Sequence, residues 1–237
     1  MAERPLYCIF VAGGSGTRMS RALAESGDGM DVPTVPKQFL ELEGIPILQR
    51  TISVFKEAVP GLKVITVLPL QHIETWRRMC LERDFTCTQT IVAGGLTRFH
   101  SVRNALAKVP DGAIVAIHDG VRPLISGGLV RRMFDAMESE RALIPVTKVV
   151  DTLRWAEACD APAPDRSRML AVQTPQIFRS EDIKAAYDQA YDSSFTDDAS
   201  VAERAGIPVS TFEGEKTNLK ITTPEDLMLA SALLRCR

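Results

Sequence analysis

Short apolar runs alternate with amphipathic stretches along most of the chain. Five of the runs have the length of buried strands, which are continuously apolar when both faces of a sheet are covered. They lie at 7–11, 63–68, 89–92, 113–117 and 142–146. This alternation predicts βαβ units, and therefore an α/β fold with a mainly parallel twisted sheet and helices on both of its faces.

Apolar residues at helical spacing mark two of the connecting helices. The shared faces consist of Leu48, Thr51, Ile52 and Phe55 in one stretch and of Leu129, Met133, Ala136 and Met137 in the other. A last helix is predicted at the C-terminal end of the sequence. Thr223 is a suitable N-cap, Pro224 suits the first helical position, and the acidic Glu225 and Asp226 suit the positive end of the helix.

The alternation fails over residues 147–173. Val149 to Trp155 and Met169 to Val172 could be two short strands, with a turn-rich stretch between them. An isolated hairpin is marginal in water, so Trp155 and its neighbours need a surface to pack on. We therefore expect one domain over 1–237 with a projecting β-arm at 147–173 that makes a homodimer. A hairpin folded back on its own domain is the alternative.

Composition narrows the range of partners. The 237 residues are 45% hydrophobic and carry a net charge of −2, which gives no general attraction to nucleic acid. No apolar stretch approaches the roughly 20 residues of a membrane span. The five cysteines have no metal-binding spacing with the three histidines, which is typical of reduced thiols. We expect a cytoplasmic protein without a cleavable signal that binds neither nucleic acid nor a membrane.

A glycine-rich turn follows the first predicted strand. It contains Gly13, Gly14 and Gly16 and ends at Arg18, and Lys37 follows in the Pro-Lys-Gln sequence 36–38. Successive backbone N–H groups in such a turn form an anion site, and the two cations strengthen it. The spacing fits neither the dinucleotide fingerprint nor the Walker loop. The pattern indicates a phosphate-binding loop. An ordinary glycine-rich turn between strand and helix is the alternative.

Two further motifs follow later strands. Ala93-Gly-Gly-Leu-Thr-Arg98 follows the third, and His118-Asp-Gly-Val-Arg122 follows the fourth. Ligands of open α/β sheets bind outside the carboxyl ends of the strands, so glycine and charge should collect at one edge. Asp119 would be partly desolvated there and is predicted to be a magnesium ligand. A salt bridge to Arg122 is the alternative, and His118 could be only a packed neighbour.

Three other segments are ambiguous when taken alone. Thr196-Asp-Asp-Ala-Ser200 could simply cap a helix, Lys220 could be a surface lysine, and Gln173-Thr-Pro-Gln176 could be a turn.

Together these motifs resemble one family, 2-C-methyl-D-erythritol 4-phosphate cytidylyltransferase of the non-mevalonate isoprenoid pathway. The resemblance covers nearly the whole chain. The matching pieces are 12–19, 36–38, 93–95 with Arg98 and Ser101, 118–123, 151–152, 173–176, 196–200 and 218–226. It implies a Rossmann-like nucleotidyltransferase fold and a homodimer. The implied reaction transfers a cytidylyl group from CTP to the polyol phosphate with Mg²⁺ and releases pyrophosphate.

The resemblance also implies a role for each matching residue. Arg18, Lys37 and Lys220 would be the catalytic cations that face the phosphates. The nucleotide would be held by Ala12, Gly13, Gly14, Gly16, Gly95 and Ser101. Asp119 would bind the metal, and Arg122 would order the pocket. Thr152, Arg166 and Thr196 would contact the polyol phosphate, the first two from an arm that reaches the partner subunit's site.

One departure and several rival functions accompany this resemblance. The segment between Arg18 and Pro36 is longer than the family pattern and could be a mobile lid. A ribitol-5-phosphate cytidylyltransferase resembles the chain in loop and fold. A hexose-1-phosphate nucleotidyltransferase matches less well in the second half. A non-catalytic nucleotide-binding protein of the same fold would not need Lys37, Asp119 and Lys220.

Overall fold

The computed structural model of this protein describes residues 4–13, 35–156 and 162–236. Ten strands and seven α-helices are found in these residues. The strands are β1 Leu6–Val11, β2 Glu41–Leu42, β3 Ile45–Pro46, β4 Lys63–Leu68, β5 Gln89–Ala93, β6 Ile114–Asp119, β7 Ala142–Lys148, β8 Leu170–Val172, β9 Gln176–Arg179 and β10 Ser210–Glu213. The helices are α1 Ile47–Ala58, α2 Ile73–Glu82, α3 Arg98–Leu106, α4 Gly127–Ala136, α5 Ser180–Ala186, α6 Asp198–Arg204 and α7 Pro224–Arg235.

Eight of the strands form one mixed sheet in the order β10-β7-β9-β6-β1-β4-β5, with β8 paired to β7. The neighbours β6, β1, β4 and β5 are parallel, and so are β7 and β10. Strand β9 runs antiparallel to both β6 and β7. All five predicted strands are present. The sequence analysis did not predict β9, whose insertion makes the sheet mixed in this half.

The alternating side chains of β1 show that both faces of the sheet are covered. Cys8 and Phe10 pack in one cluster with α1 and α4, whereas Tyr7 and Ile9 pack in a second cluster with α3 and α5. Successive strand residues point to opposite faces, so the two clusters lie on opposite sides of the sheet. The predicted faces of α1 and α4 are at the first cluster, with Leu48 and Met133 fully buried.

The arm differs from its prediction. The predicted strand over Val149–Trp155 is wrong, because 149–156 has no strand structure. Instead β7 continues to Lys148 and pairs with β8, opposing Lys148 to Leu170. A single turn of 3₁₀-helix at Arg166–Arg168 precedes β8, and among the described residues of 149–173 only β8 is a strand. Trp155 is 54% exposed, and its indole N–H donates to the carbonyl oxygen of Pro162.

The predicted start of α7 is confirmed. The Thr223 hydroxyl accepts a hydrogen bond from the Asp226 N–H, and the Asp226 carboxylate accepts from the Thr223 N–H, which is a capping box with Pro224 at the first helical position. In the part of the chain that the structure describes, no helix has both the length and the apolar character needed to cross a membrane.

Candidate active site at the strand ends

A cavity of about 310 Å³ opens at the carboxyl ends of β1, β5 and β6. Seven of the predicted site residues line it. They are Ala12, Gly13, Lys37, Gly95, Ser101, Asp119 and Lys220. Arg122 contacts Asp119 from one side of this group. Gly14, Gly16 and Arg18 lie outside the described residues, as does most of the long segment before Pro36.

Parallel pairing brings these residues together. Strands β1 and β6 end side by side with Val11 opposite Asp119, and the Gly120 N–H donates to the carbonyl oxygen of Val11 at 2.9 Å. Gly120 is required by close packing, since a Cβ atom there would lie 2.9 Å from Leu48 Cδ1 and 3.1 Å from Ala12 Cβ. The segment after β6 can therefore turn directly beside the end of β1.

The turn after β5 is held by a serine. Ser101 in α3 is buried, accepts a hydrogen bond from the Gly95 N–H at 3.0 Å and donates to the Thr97 carbonyl oxygen at 2.9 Å. A Cβ atom on Gly95 would lie 2.4 Å from His100 Cβ, so only glycine fits there. Ser101 thus shapes the glycine turn at the edge of the cavity.

Asp119 is surrounded by positive charge. Its Oδ2 atom lies 3.0 Å from Lys220 Nζ and 3.1 Å from Arg122 Nε, and its Oδ1 atom lies 4.0 Å from Arg98 Nε. Burial raises the pKa of Asp119, but Arg98, Lys220 and Arg122 outweigh this effect and hold that pKa well below its usual range. Asp119 is therefore a charged carboxylate at neutral pH. Together with its three cationic neighbours it forms a cluster with net positive charge.

Arg122 connects this carboxylate to the segment that carries Lys220. While its Nε atom faces Asp119, its Nη1 atom donates to the carbonyl oxygen of Asn218 at 2.8 Å. The fully buried Asn218 donates from Nδ2 to the Thr174 carbonyl oxygen at 2.8 Å. Arg122 therefore orders the pocket by fixing the backbone two residues before Lys220.

His118 is neutral and lies below the site. Burial lowers its pKa to about 3. The His118 Nε2 atom faces the Arg122 carbonyl oxygen at 3.4 Å, and because a carbonyl can only accept, the proton of the neutral ring is on Nε2. The Thr174 hydroxyl therefore donates to His118 Nδ1 at 3.0 Å, and it accepts from the Asp119 N–H at 3.1 Å. His118 is thus a buried hydrogen-bonding neighbour.

Comparison with known proteins identifies the family. The family model described as 2-C-methyl-D-erythritol 4-phosphate cytidylyltransferase matches residues 6–236. The chain belongs to this family. A curated relative with this description from Porphyromonas gingivalis strain W83 is 45% identical, and the alignment covers 98% of this chain and 99% of the relative. A second relative, from Bacteroides thetaiotaomicron, is 43% identical, and the alignment covers 95% of this chain and 98% of the relative.

Solved structures agree with this membership. The crystal structure of 4-diphosphocytidyl-2C-methyl-D-erythritol synthase from Anaerococcus prevotii superposes with a TM-score of 0.78 at 26% identity, and the alignment covers 98% of this chain and 99% of that one. The cytidylyltransferase from Thermus thermophilus gives 0.72 at 29% identity, covering 98% and 100%. The predicted family, fold and enzyme class, a nucleotidyltransferase of isoprenoid biosynthesis, are confirmed.

The cytidylyltransferase site fits a magnesium ion held mostly by substrate. Asp119 is the one carboxylate among the described residues that line the cavity, and these residues contain no group of three His, Cys, Asp or Glu side chains suited to a metal. Magnesium commonly uses one or two carboxylates together with substrate phosphates and water. The salt bridge to Arg122, the alternative prediction for Asp119, is also present.

Within one chain, the three residues predicted to contact the polyol phosphate do not line the cavity. Thr152, Arg166 and Thr196 are all exposed. Arg166 donates from Nη1 to the Val150 carbonyl oxygen at 2.7 Å and lines a separate hollow of about 340 Å³ at the base of the arm. Thr152 and Arg166 thus do not line the cavity described above, and their role stays a prediction.

Sequence reasoning gave no separate roles to several residues that shape this site. Arg98, Thr174, Asp198 and Asn218 all lie in the motifs that matched the family, yet their partners are 44 to 100 positions away. The buried polar character of Asn218 and Asp198 could not be predicted from hydrophobic pattern.

Proposed function

We propose that this chain transfers the cytidylyl group of CTP to 2-C-methyl-D-erythritol 4-phosphate and releases pyrophosphate, with Lys37 and Lys220 as catalytic cations. The observation that carries this proposal is the convergence of Lys37, Lys220 and Asp119 on one cavity at the strand ends. The description of the family to which the chain belongs names this reaction. Gly13 and Gly95 are exposed and line this cavity, which leaves room for a nucleotide beside them.

The reaction needs no general base. A phosphate monoester has its second pKa near 6, so the acceptor phosphate is mostly a dianion at neutral pH. Its oxygen attacks the α-phosphorus of CTP, a new P–O bond forms, and the bond to the pyrophosphate oxygen breaks. The hydrogen bonds and low pKa of His118, about 3, support this scheme, because the buried ring neither faces the cavity nor is free to take up a proton.

The main obstacle is repulsion between the two anionic substrates. Fixed positive groups in a partly desolvated cleft reduce it without reorganising during the reaction. Lys220 and Lys37 line the cleft, while Arg122 holds the Lys220 segment in place. A magnesium ion, held by Asp119 and the substrate phosphates, would add positive charge at the triphosphate.

Cation substitution tests this proposal. We expect Lys37→Ala and Lys220→Ala to fold normally and to lower kcat on the order of 10²–10³-fold, as removal of one preorganised donor does elsewhere. Lys184→Ala is the matched control, since this lysine pairs with Asp111 at the surface, and should keep wild-type turnover. Pyrophosphate release with CTP, Mg²⁺ and methylerythritol phosphate is the measurement. Near wild-type rates in either cleft variant would refute the roles given to these lysines.

Substrate controls in the same assay address the rival functions. UTP in place of CTP and ribitol 5-phosphate in place of methylerythritol phosphate should both give slow release. Faster release with ribitol 5-phosphate would overturn the acceptor assignment. Binding of CTP without any release of pyrophosphate would overturn the catalytic proposal in favour of a nucleotide-binding protein.

A further inference from the structure

A buried ion pair joins two helix starts behind the cavity. Arg98 is the first residue of α3, and Asp198 is the first residue of α6. The Arg98 Nη1 atom donates to Asp198 Oδ1 at 2.7 Å, and Nη2 donates to Oδ2 at 2.6 Å. The Asp198 side chain is fully buried, whereas 30% of the Arg98 side chain is exposed at the cavity. This two-pronged contact fixes α6 against α3.

Tyr187 holds Asp198 from behind and packs against the residue that follows Arg98. The Tyr187 hydroxyl donates to Asp198 Oδ1 at 2.6 Å. The Tyr187 ring stacks on Phe99, the residue after Arg98, with 4.7 Å between ring centroids. Side chains held on two sides keep one rotamer, so the pair has little freedom to shift.

The pair also joins two parts of the site. On one side, Arg98 Nε lies 4.0 Å from Asp119 Oδ1. On the other side, Thr196 comes two residues before Asp198, and the intervening Asp197 accepts a hydrogen bond from Gln176 Nε2 at 2.7 Å. The ion pair and Gln176 therefore both tie the Thr196 segment to the strand ends near Asp119.

Stability alone does not explain these two charges. A buried ion pair can often be replaced by apolar residues without loss of stability, because desolvation offsets the attraction between the charges. Both Nη atoms of Arg98 are bonded to Asp198, so the forked end of the guanidinium, which suits phosphate, already has a carboxylate partner. Only its Nε edge faces Asp119.

We propose that Arg98 and Asp198 are positioning residues that hold the Thr196 segment in register with Asp119 and so set the affinity for the acceptor polyol phosphate. This inference rests on the proposed function, in which Thr196 contacts the acceptor. The two substrates should respond differently to loss of the pair. The acceptor contact is displaced, whereas CTP is still bound by Lys220 and by the glycine turn that Ser101 holds.

The test is a double-mutant cycle with both substrates varied. Arg98→Lys keeps the charge but loses the planar fork, and Asp198→Asn keeps the shape but loses the charge. We expect each to raise KM for methylerythritol phosphate by about tenfold, since a displacement near 1 Å can cost up to about 10²-fold. KM for CTP should stay within about twofold, and the double variant should resemble the worse single variant rather than show the roughly 100-fold effect of additive changes.

A milder variant covers the case in which Asp198→Asn does not fold. Tyr187→Phe removes one hydrogen bond to Asp198 and leaves the ion pair in place. We expect it to raise the acceptor KM by about threefold, without a change in KM for CTP. An unchanged acceptor KM in both Tyr187→Phe and Arg98→Lys would overturn the proposal.

A surface pair provides the matched control. Arg141 also makes a two-pronged contact, donating from Nε and Nη2 to Asp182 at 3.0 and 2.6 Å, but it lies at the surface. Arg141→Lys and Asp182→Asn should leave both KM values unchanged. Parallel rises in KM for CTP and acceptor, or additive effects in the cycle, would overturn the positioning role. A wild-type enzyme that releases no pyrophosphate with methylerythritol phosphate would instead overturn the proposed function itself.

Discussion

At the scale of single residues, charge and burial decide what each group in the site does. Asp119 stays ionised although it is buried, because Arg98, Lys220 and Arg122 face it. The adjacent His118 stays neutral because its burial is not compensated in the same way. Two neighbours on one strand thus have opposite electrostatic roles, a difference that follows from which face of β6 each side chain occupies.

The neutral state of His118 predicts a pH dependence of stability. Its pKa is lowered from 6.5 to about 3, so between these values the unfolded chain binds a proton that the folded chain does not. The free energy of unfolding should therefore fall as the pH falls through this window, by at most about 1.4 kcal/mol per pH unit from this residue.

Comparison with His118→Gln isolates that contribution. Urea unfolding at pH 7.5, 6.0 and 5.0 should show a steeper loss of stability for the wild type than for the variant. The range stays above pH 4.5 so that protonation of Asp119 in the unfolded chain does not interfere. Equal slopes for the two proteins would contradict the assignment of His118 as buried and neutral.

At the scale of elements, helix starts place several of the site residues. The capping box of α7 begins three residues after Lys220, and the intervening Ile221 N–H donates to the Val121 carbonyl oxygen at 2.9 Å. The capping box of α6 follows Thr196 directly, with Asp197 as its N-cap. Helix caps satisfy the first N–H groups of a helix, so here they also fix the segments that carry the proposed ligands.

Removal of the α7 cap should measure this contribution. Thr223→Ala loses the hydroxyl that accepts from the Asp226 N–H and should lower the free energy of unfolding by about 1 kcal/mol. Ser139→Ala, at an exposed hydroxyl beyond the end of α4, is the control and should change it by less than about 0.5 kcal/mol. Urea denaturation gives both values, and an equal effect of the two substitutions would show that the cap adds nothing.

At the scale of the whole molecule, the described part of the arm exposes several large apolar side chains. Val150, Trp155, Leu170 and Val172 are 67%, 54%, 48% and 43% exposed. Apolar side chains clustered in one projecting segment are typical of an interface with another protein. We propose that the arm packs on a second copy of this chain, as the resemblance implies, and brings Thr152 and Arg166 to that copy's cavity.

A shortened arm tests this assembly. Lys148 and Leu170 are directly opposed in the sheet, so residues 149–169 can be replaced by Asn-Gly, which closes a two-residue hairpin. We expect a monomer by light scattering and loss of turnover, because Arg166 is removed with the arm.

Point variants separate the interface from the fold. Val150→Asp places a charge on the arm and should also give a monomer. Leu81→Asp, at a residue of α2 that is 83% exposed, should leave the dimer intact. A dimer in the shortened variant would show that the arm does not make the interface.

The sequence by itself determined the local features of this protein. Apolar periodicity predicted the five strands and the faces of α1 and α4, and the order Thr223-Pro224 predicted the start of α7, since these features depend on neighbouring residues. The motifs, taken in order, were enough to indicate the family and to place Lys37, Asp119 and Lys220 at one edge.

Only the tertiary structure decided the rest, because it depends on contacts between distant residues. The insertion of β9 beside β6, the extension of β7 to Lys148 and the pairing of Arg98 with Asp198 each join segments that are far apart in sequence. The ionisation states of Asp119 and His118 likewise depend on which charges folding brings near them. Local pattern fixes which elements form, and packing fixes which of their side chains meet.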